Sequence, residues 1–451
     1  TFGGYMEKRK KRYLTPPRVL LLSFVVLITI GTFLLSLPIA VKEGVDNSVL
    51  TALFTSTSAV AVTGLSVVDV TKYYNYFGTT VIMLLIQLGG LGVMTFSSVV
   101  MLFIGRKITY EDRKVLQEGL NRDSLDGIVK FIRRVVYIVI GIEGVGALLL
   151  FFAFIQQYSF GKALYFSVFH AVSAFCNAGF GLWSDNLEGY KSNHYVLLII
   201  ESLIVLGGIG FAVINTYIIF FKTKVKKFDL TSKVAVKITA WLIIVGAVLF
   251  FVLEYNNTGT LGNLTFMEKI SNSFFQSITT RTAGFNSLPI GKLNQETLLV
   301  FVILMFIGAS PGSTGGGIKT TTFGVILFYT IGIIRDENEV RIGNRKISWN
   351  LLNKALALLV IAILYVTFIT LLILIIEDMS FIEVLFEVVS AFATVGLSTG
   401  ITGKLSTMSE ILIIFTMYLG RVGPLTLALV LGETRKKSSK IKYPEENIAI
   451  G

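Results

Sequence analysis

Four times along the chain, a segment too short to cross a bilayer sits between apolar runs long enough to do so. Aligned on one glycine each, the segments read LFTSTSAVAVTGLS (53–66), VFHAVSAFCNAGFG (168–181), SFFQSITTRTAGFN (273–286) and LFEVVSAFATVGLS (385–398). A phenylalanine stands ten residues before each anchor, as Phe54/Gly64, Phe169/Gly179, Phe274/Gly284 and Phe386/Gly396. Leu65, Phe180, Phe285 and Leu397 follow the anchors, which are 115, 105 and 112 residues apart. Such register predicts a fourfold internal repeat. The flanking runs, among them Val19–Leu37, Tyr137–Phe154, Tyr195–Phe221, Ala355–Ile376 and Ile411–Leu431, have the length of transmembrane helices. A chain 53% hydrophobic reads as a polytopic membrane protein. Val19–Leu37 is long enough to stay in the bilayer, so no cleavable signal is expected.

The net charge of +12 raises nucleic acid as a partner, and its distribution argues against it. Thirty of the 40 Lys and Arg residues fall in five segments: the stretch up to Arg18, Arg106–Arg134, Lys222–Lys237, Arg335–Lys354 and Arg435–Lys442. The intervening loops hold seven: Lys42, Lys72, Lys162, Lys191, Lys269, Lys292 and Lys404. This is positive-inside asymmetry, which places both termini in the cytoplasm of a cell-membrane protein. Anionic lipid accounts for most of the basic loop charge. Arg106–Arg134 and Thr434–Gly451 are also candidate docking surfaces for a soluble partner.

About 12 residues of helix reach about 18 Å, well short of about 30 Å of hydrocarbon, so each short segment must enter and return on one side. Two full crossings per repeat point all four the same way, toward the outer face. The expected fold is all-α: four parallel helix–pore-loop–helix repeats, eight transmembrane helices and four re-entrant pore helices in pseudo-fourfold symmetry. Repeats are placed at 19–104, 135–221, 235–334 (with a broken second helix) and 354–432. The N-terminus is 1–18, the linkers are 105–134, 222–234 and 335–353, and the tail is 433–451.

Irregular backbone at membrane depth persists only where protein or water satisfies it. A fourfold ring of such backbone can aim carbonyl oxygens at the axis and replace the hydration shell of an alkali cation. Glycine supplies torsions that a side chain hinders. The candidate lining is Ala61, Val62, Thr63 and Gly64; Cys176, Asn177, Ala178 and Gly179; Thr282, Ala283 and Gly284; and Thr394, Val395 and Gly396. No carboxylate is among them, which favours a monovalent cation. Arg281 stands where the other repeats have Ala61, Cys176 and Ala393, so its side chain should point away from the axis. Glu387 on the neighbouring short helix is the expected partner, the two forming a pair behind the filter. His170, at the offset of Glu387, reads as a hydrogen-bonding residue rather than a metal ligand.

A second glycine cluster lies 24–28 residues past each anchor, at Gly89, Gly207, Gly308 and Gly420. In repeats one and two, close helix packing explains it. Repeat three extends it into Gly308, Ala309, Ser310, Pro311, Gly312, Ser313, Thr314, Gly315, Gly316 and Gly317, a polar loop tolerated in lipid only beside a wet cavity. Repeat four places Arg421 there, where a cation costs roughly 2.5–3.5 kcal/mol at helix centre unless it faces a cavity or partner. The expectation is a gate, with the loop closing the path and Arg421 latched to loop carbonyls. Lys319 follows, read equally as a loop-bonding or a gating lysine. Gly312–Lys319 is not a phosphate loop, because Ile318 separates glycine from lysine.

These residues together resemble the Trk/Ktr/HKT superfamily of potassium transporters: four pore-loop repeats, one filter glycine in each, RTAGF at 281–285 and the broken helix of repeat three. The resemblance is nearest to bacterial Ktr membrane subunits and covers about Pro16 to Pro444. It implies potassium as the transported ion, with preference conferred by Gly64, Gly179, Gly284 and Gly396; family members with serine at the first position tend to pass sodium. It also implies a homodimer on a cytosolic ring of nucleotide-binding regulatory subunits. The residues read as a channel-like potassium uptake subunit. The alternative is an alternating-access secondary transporter, with sodium coupling open, but that class predicts inverted rather than parallel repeats. No organic cofactor is expected. An enzyme is disfavoured by two histidines, His170 and His194, and by the lack of an acid–base constellation around the isolated Glu143 and Glu201. The lone Cys176 allows neither an intrachain disulfide nor a cysteine metal site.

Overall fold

The computed structural model describes residues 16–92, 128–223, 229–336, 341–342 and 345–423. Of the expected docking surfaces, residues 106–127 of Arg106–Arg134 and all of Thr434–Gly451 lie outside the described residues.

Each repeat opens with a long apolar helix: Pro16–Ser36, Ile128–Phe154, Leu230–Glu254 and Trp349–Ile376. Among the described residues these are the four single helices long and apolar enough to cross a membrane. They turn large apolar side chains outward, including Phe33, Phe152, Val252, Leu364 and Ile375. In water such a surface would aggregate; against lipid tails it costs nothing.

The short segments form the helices Val49–Ala61, Phe160–Phe175, Phe266–Thr279 and Phe381–Phe392. Two carry a readable start signal. Thr265 and Glu268 close a capping box, and Ser380 accepts from the Glu383 amide at 3.4 Å. Their first turns are exposed, as at Val49, Phe160, Phe266 and Phe381, while their C-terminal halves are buried and keep polar residues inside, as at Thr55, Ser56, Thr57 and Ser58. Polarity is therefore highest at the centre of the molecule and lowest at its rim.

In each repeat the helix after the short segment ends at its glycine cluster. Tyr76–Leu91 is closed by Gly92 at φ +81° and Thr407–Val422 by Gly423 at φ +93°. Gln295–Phe306 and Thr320–Ile334 flank the Gly308–Gly317 loop. Sequence reasoning places a broken second helix in repeat three alone. The structure also breaks it in repeat two, where His194–Gly208 and Phe211–Phe220 meet at 96°. Gly210, at φ +100°, makes that corner.

Packing joins the repeats in a cycle. The second helix of repeat one lies on the short helix of repeat two, that of two on three, three on four, and four on one. One departure from all-helical structure is a two-residue ribbon pairing Arg341 with Lys346 and Ile342 with Arg345. The intervening Gly343-Asn344 is a hairpin signal that periodicity arguments pass over.

Candidate ion pathway

The four anchor glycines touch one another in a closed ring. A β-carbon placed on Gly64 would stand 3.2 Å from Gly179 Cα; on Gly179, 2.8 Å from Gly284 Cα; on Gly284, 3.2 Å from Gly396 Cα; and on Gly396, 2.9 Å from Gly64 Cα. Each has a positive φ, at +98°, +69°, +75° and +94°. Both the torsion and the close approach disfavour a side chain, which could enter only if the neighbouring backbone shifts. The carbonyls of Ala178, Ala283, Val395 and Thr63 lie beside the neighbouring glycine. Among the described residues, none of these four oxygens accepts a hydrogen bond. Unpaired backbone acceptors in a protein interior call for a partner, and a dehydrated cation is one.

A second register lies two residues earlier. Val62, Asn177, Thr282 and Thr394 are all left-handed, with φ between +51° and +67°. In repeats one, two and four this is a Schellman-type helix end. The amides of Thr63, Ala178 and Val395 reach back to the Ser58, Ser173 and Ser390 carbonyls, each at 2.8 Å. Hydroxyls then staple the strand that follows. Ser58 and Ser390 accept from the Gly64 and Gly396 amides at 3.0 Å, while Ser173 and Thr279 donate to the Phe180 and Phe285 carbonyls. Sequence reasoning missed these four hydroxyls. The signal was a Ser or Thr five or six residues before each anchor.

Beyond the ring, the chain opens into a cavity of about 380 Å³ lined by the four glycines and the residues after them. Of the fourteen candidate lining residues, only the glycines reach this cavity; the other ten lie beneath. Asp69 and Glu188, not anticipated from sequence, supply carboxylates to its wall. Burial, reinforced by the charge of Asp185, raises the Glu188 carboxyl above its ordinary range; the Asn286 amide opposes this. The Cys176 side chain turns away from the ring, toward Gln87 and Glu143 at 3.8 Å each. Glu143 also accepts from Gln87 at 3.2 Å, which gives one isolated acid a partner. Among the described residues, Glu201 Oε1 is buried without one.

The second glycine clusters seat the helices against the short-helix ends. Added side chains on Gly89, Gly207 and Gly420 would collide with the Val60, Phe175 and Phe392 carbonyls, all four residues before an anchor. In repeat three, Gly308 faces the Gly316 carbonyl of its own loop instead.

That loop lies beneath the ring. Its Gly315 and Gly316 abut the Thr282 and Thr394 side chains. Ser310 and Thr314 amides donate to the Gly208 and Gly207 carbonyls at 3.0 and 3.3 Å, and Phe211 donates to Gly312 at 2.9 Å. The corner in repeat two is thus the loop's seat. Three cations hold the loop. Lys319 Nζ donates to the Gly315 carbonyl at 2.7 Å, Arg281 Nη2 to Gly308 at 3.4 Å, and Arg421 Nη1 to Thr314. Arg421 Nη2 also donates to the Gly89 and Gly90 carbonyls, bridging repeats one, three and four. Arg421 stands in the last turn of its helix rather than at its centre, where the helix dipole favours a cation.

The expected Arg281–Glu387 pair does not form. Arg281 turns to Thr239 Oγ1 at 3.3 Å and to Gly308. Glu387 accepts from Ser398 at 2.7 Å and from Thr402, both in the chain past Gly396. The reason is height: Glu387 lies within its short helix, nine residues before its glycine, whereas Arg281 lies three before its own, past the helix end at Thr279. His170, at the Glu387 offset, does the same for its repeat, accepting from the Leu182 amide at 3.2 Å.

A cyclic membrane fold enclosing a ring of free carbonyls defines a cation transport protein, and the comparison with known families agrees. Residues 11–440 match the model of TrkH, a cation transport protein family, and the chain belongs to that family. It is 42% identical over 438 residues to the Ktr system potassium uptake protein B of Bacillus subtilis, covering 97% of each chain. It is 37% identical over 451 residues to the potassium/sodium uptake protein NtpJ of Enterococcus hirae, covering 99% of each. In fold it resembles the crystal structure of the potassium transporter TrkH from Vibrio parahaemolyticus, with a TM-score of 0.73 over 94% of this chain and 86% of that one at 17% identity.

Proposed function

We propose that this chain is the membrane subunit of a potassium uptake system, passing the ion along a channel-like path at the axis of its four repeats. The observation that carries this reading is the closed ring of left-handed glycines with four unbonded carbonyls beside it. Main-chain oxygens in such a ring replace potassium's hydration shell. The short helices end at the ring, and their negative ends add attraction for a cation. The filter comprises Ala61–Gly64, Cys176–Gly179, Thr282–Gly284 and Thr394–Gly396. The Gly308–Gly317 loop is the gate and Arg421 its latch. Arg281 supports the start of the loop, and Glu387 the chain past Gly396. We retain the reading of eight crossings, two for each repeat.

The named activities of the relatives support potassium as substrate, and NtpJ supports sodium as a second ion. The name of a Ktr system implies other subunits. We extend this to a homodimer in the cell membrane, with both termini cytoplasmic, resting on a cytosolic nucleotide-binding ring. The test is rubidium and sodium uptake by the full chain in a potassium-auxotrophic bacterium, with and without a cosynthesised cytosolic partner. Saturable rubidium uptake exceeding sodium uptake is expected. A folded, membrane-inserted chain that takes up neither ion in either setting overturns the assignment.

A further inference from the structure

The left-handed residues two positions before each glycine form a ring of their own. Three of the four, Asn177, Thr282 and Thr394, carry side-chain oxygens, and the fourth, Val62, has the shape of threonine without the hydroxyl. All are fully buried. Asn177 lies 3.4 Å from Thr282 Oγ1. Turning its amide nitrogen to the Ala174 and Ile204 carbonyls, at 3.1 and 3.2 Å, pairs donor with acceptor and leaves the amide oxygen facing Thr282. Thr394 Oγ1 has no hydrogen-bond partner among the described residues. A buried hydroxyl left unpaired is costly, so its place needs a reason. What covers these oxygens is the loop: Gly315 lies on Thr282 Oγ1 and Gly316 on Thr394 Oγ1, so closely that neither glycine could carry a side chain.

We propose that Asn177, Thr282 and Thr394 form a second, side-chain site for the transported monovalent cation at the inner end of the carbonyl ring, which Gly315 and Gly316 cap when the loop is closed. It rests on the filter reading above and deepens it. Neutral oxygens from three repeats suit a cation that has lost its water in the ring and must regain oxygen ligands on leaving it. The bare faces of the two glycines let the loop close over the site without filling it with a side chain.

The experiment measures the concentration dependence of rubidium and sodium uptake by the full chain in cells lacking their own potassium uptake. Thr394→Val keeps shape and removes the oxygen. We expect it to raise the half-saturating rubidium concentration at least fivefold, and Thr394→Ser to recover most of that loss. A change under twofold in Thr394→Val overturns the proposal. If Thr394→Val fails to reach the membrane, the decision passes to Val62→Thr, which adds the missing hydroxyl; it should lower half-saturation at least twofold, and no change overturns the proposal. Gly396→Ser separates the two levels. If it alters rubidium-over-sodium preference while Thr394→Val is silent, only the inner site falls. If both are silent, the filter reading falls as well.

Discussion

Gly210 offers a way to push the loop off its seat from a different part of the chain. The Gly210 Cβ position lies 2.6 Å from the Pro311 carbonyl oxygen, whereas ordinary contact begins at 3.4 Å. In Gly210→Ala the loop must retreat by 0.8 Å, and the neighbouring bond from Phe211 N to Gly312 O, now 2.9 Å, would stretch with it. Overpacking of this kind costs about 1–3 kcal/mol. Alanine at φ +100° also carries backbone strain of about 1–2 kcal/mol, but that is present whether the loop is in or out and cancels from the gating equilibrium. The collision exists only with the loop seated. An open-to-closed ratio shifted by about 1–3 kcal/mol changes about 5- to 150-fold. Rubidium influx into liposomes holding the purified full chain should rise accordingly, up to the ceiling of the open pathway. Gly44→Ala is the control: Gly44 also has a positive φ, +80°, but nothing stands within 4 Å of its Cβ position. It should lower thermal stability slightly and leave influx alone. Unchanged or reduced influx in a folded Gly210→Ala chain would refute the idea that the repeat-two corner seats a closing loop.

Deletion of Ser310–Gly317 should raise influx at least as far as Gly210→Ala does, in the same liposome assay; a well-folded deletion with wild-type influx counts against the gate. Arg281→Gln and Glu387→Gln should destabilise independently, with a coupling below about 0.5 kcal/mol in a double-mutant cycle read by thermal unfolding in detergent, because the two touch different partners. Glu188 gives a pH dependence. Burial and Asp185 raise its carboxyl, so it loses its negative charge at a higher pH than an ordinary glutamate as acid is added. As acid is added, the half-saturating rubidium concentration should rise at a higher pH than an ordinary glutamate, which titrates at about 4.3, would give, and Glu188→Gln should flatten that rise.

Much of the glycine ring was legible because it rests on backbone chemistry that repeats. Glycine at four equivalent positions announces torsions that other residues resist, and all four have positive φ. The loop was legible for the same reason, since no helix tolerates five glycines and a proline in ten residues. Partners of side chains were not. The Arg281–Glu387 pairing followed from charge and helix adjacency, yet pairing also requires equal height, and the six-residue offset set the two at different levels. Asp69 and Glu188 were passed over because each sits in a single short turn after its glycine, Asp69 capping Val70–Tyr73 and Glu188 opening Glu188–Tyr190, too short for any periodicity to mark it. The Gly207–Gly210 cluster looked like helix packing, and Gly207 does press on the Phe175 carbonyl. Its second use, a corner that receives the loop from repeat three, involves residues about a hundred positions away.

Sequence alone determined which residues must be irregular, how often the unit recurs and which faces are too apolar for water, because torsional freedom, periodicity and hydropathy are properties of short stretches. Tertiary structure alone decided which repeat lies against which, where each buried charge finds its partner, and that glycines so far apart in the chain meet around one axis. Those outcomes depend on distances between segments with no local relation, and they are set only when the cycle of helices closes.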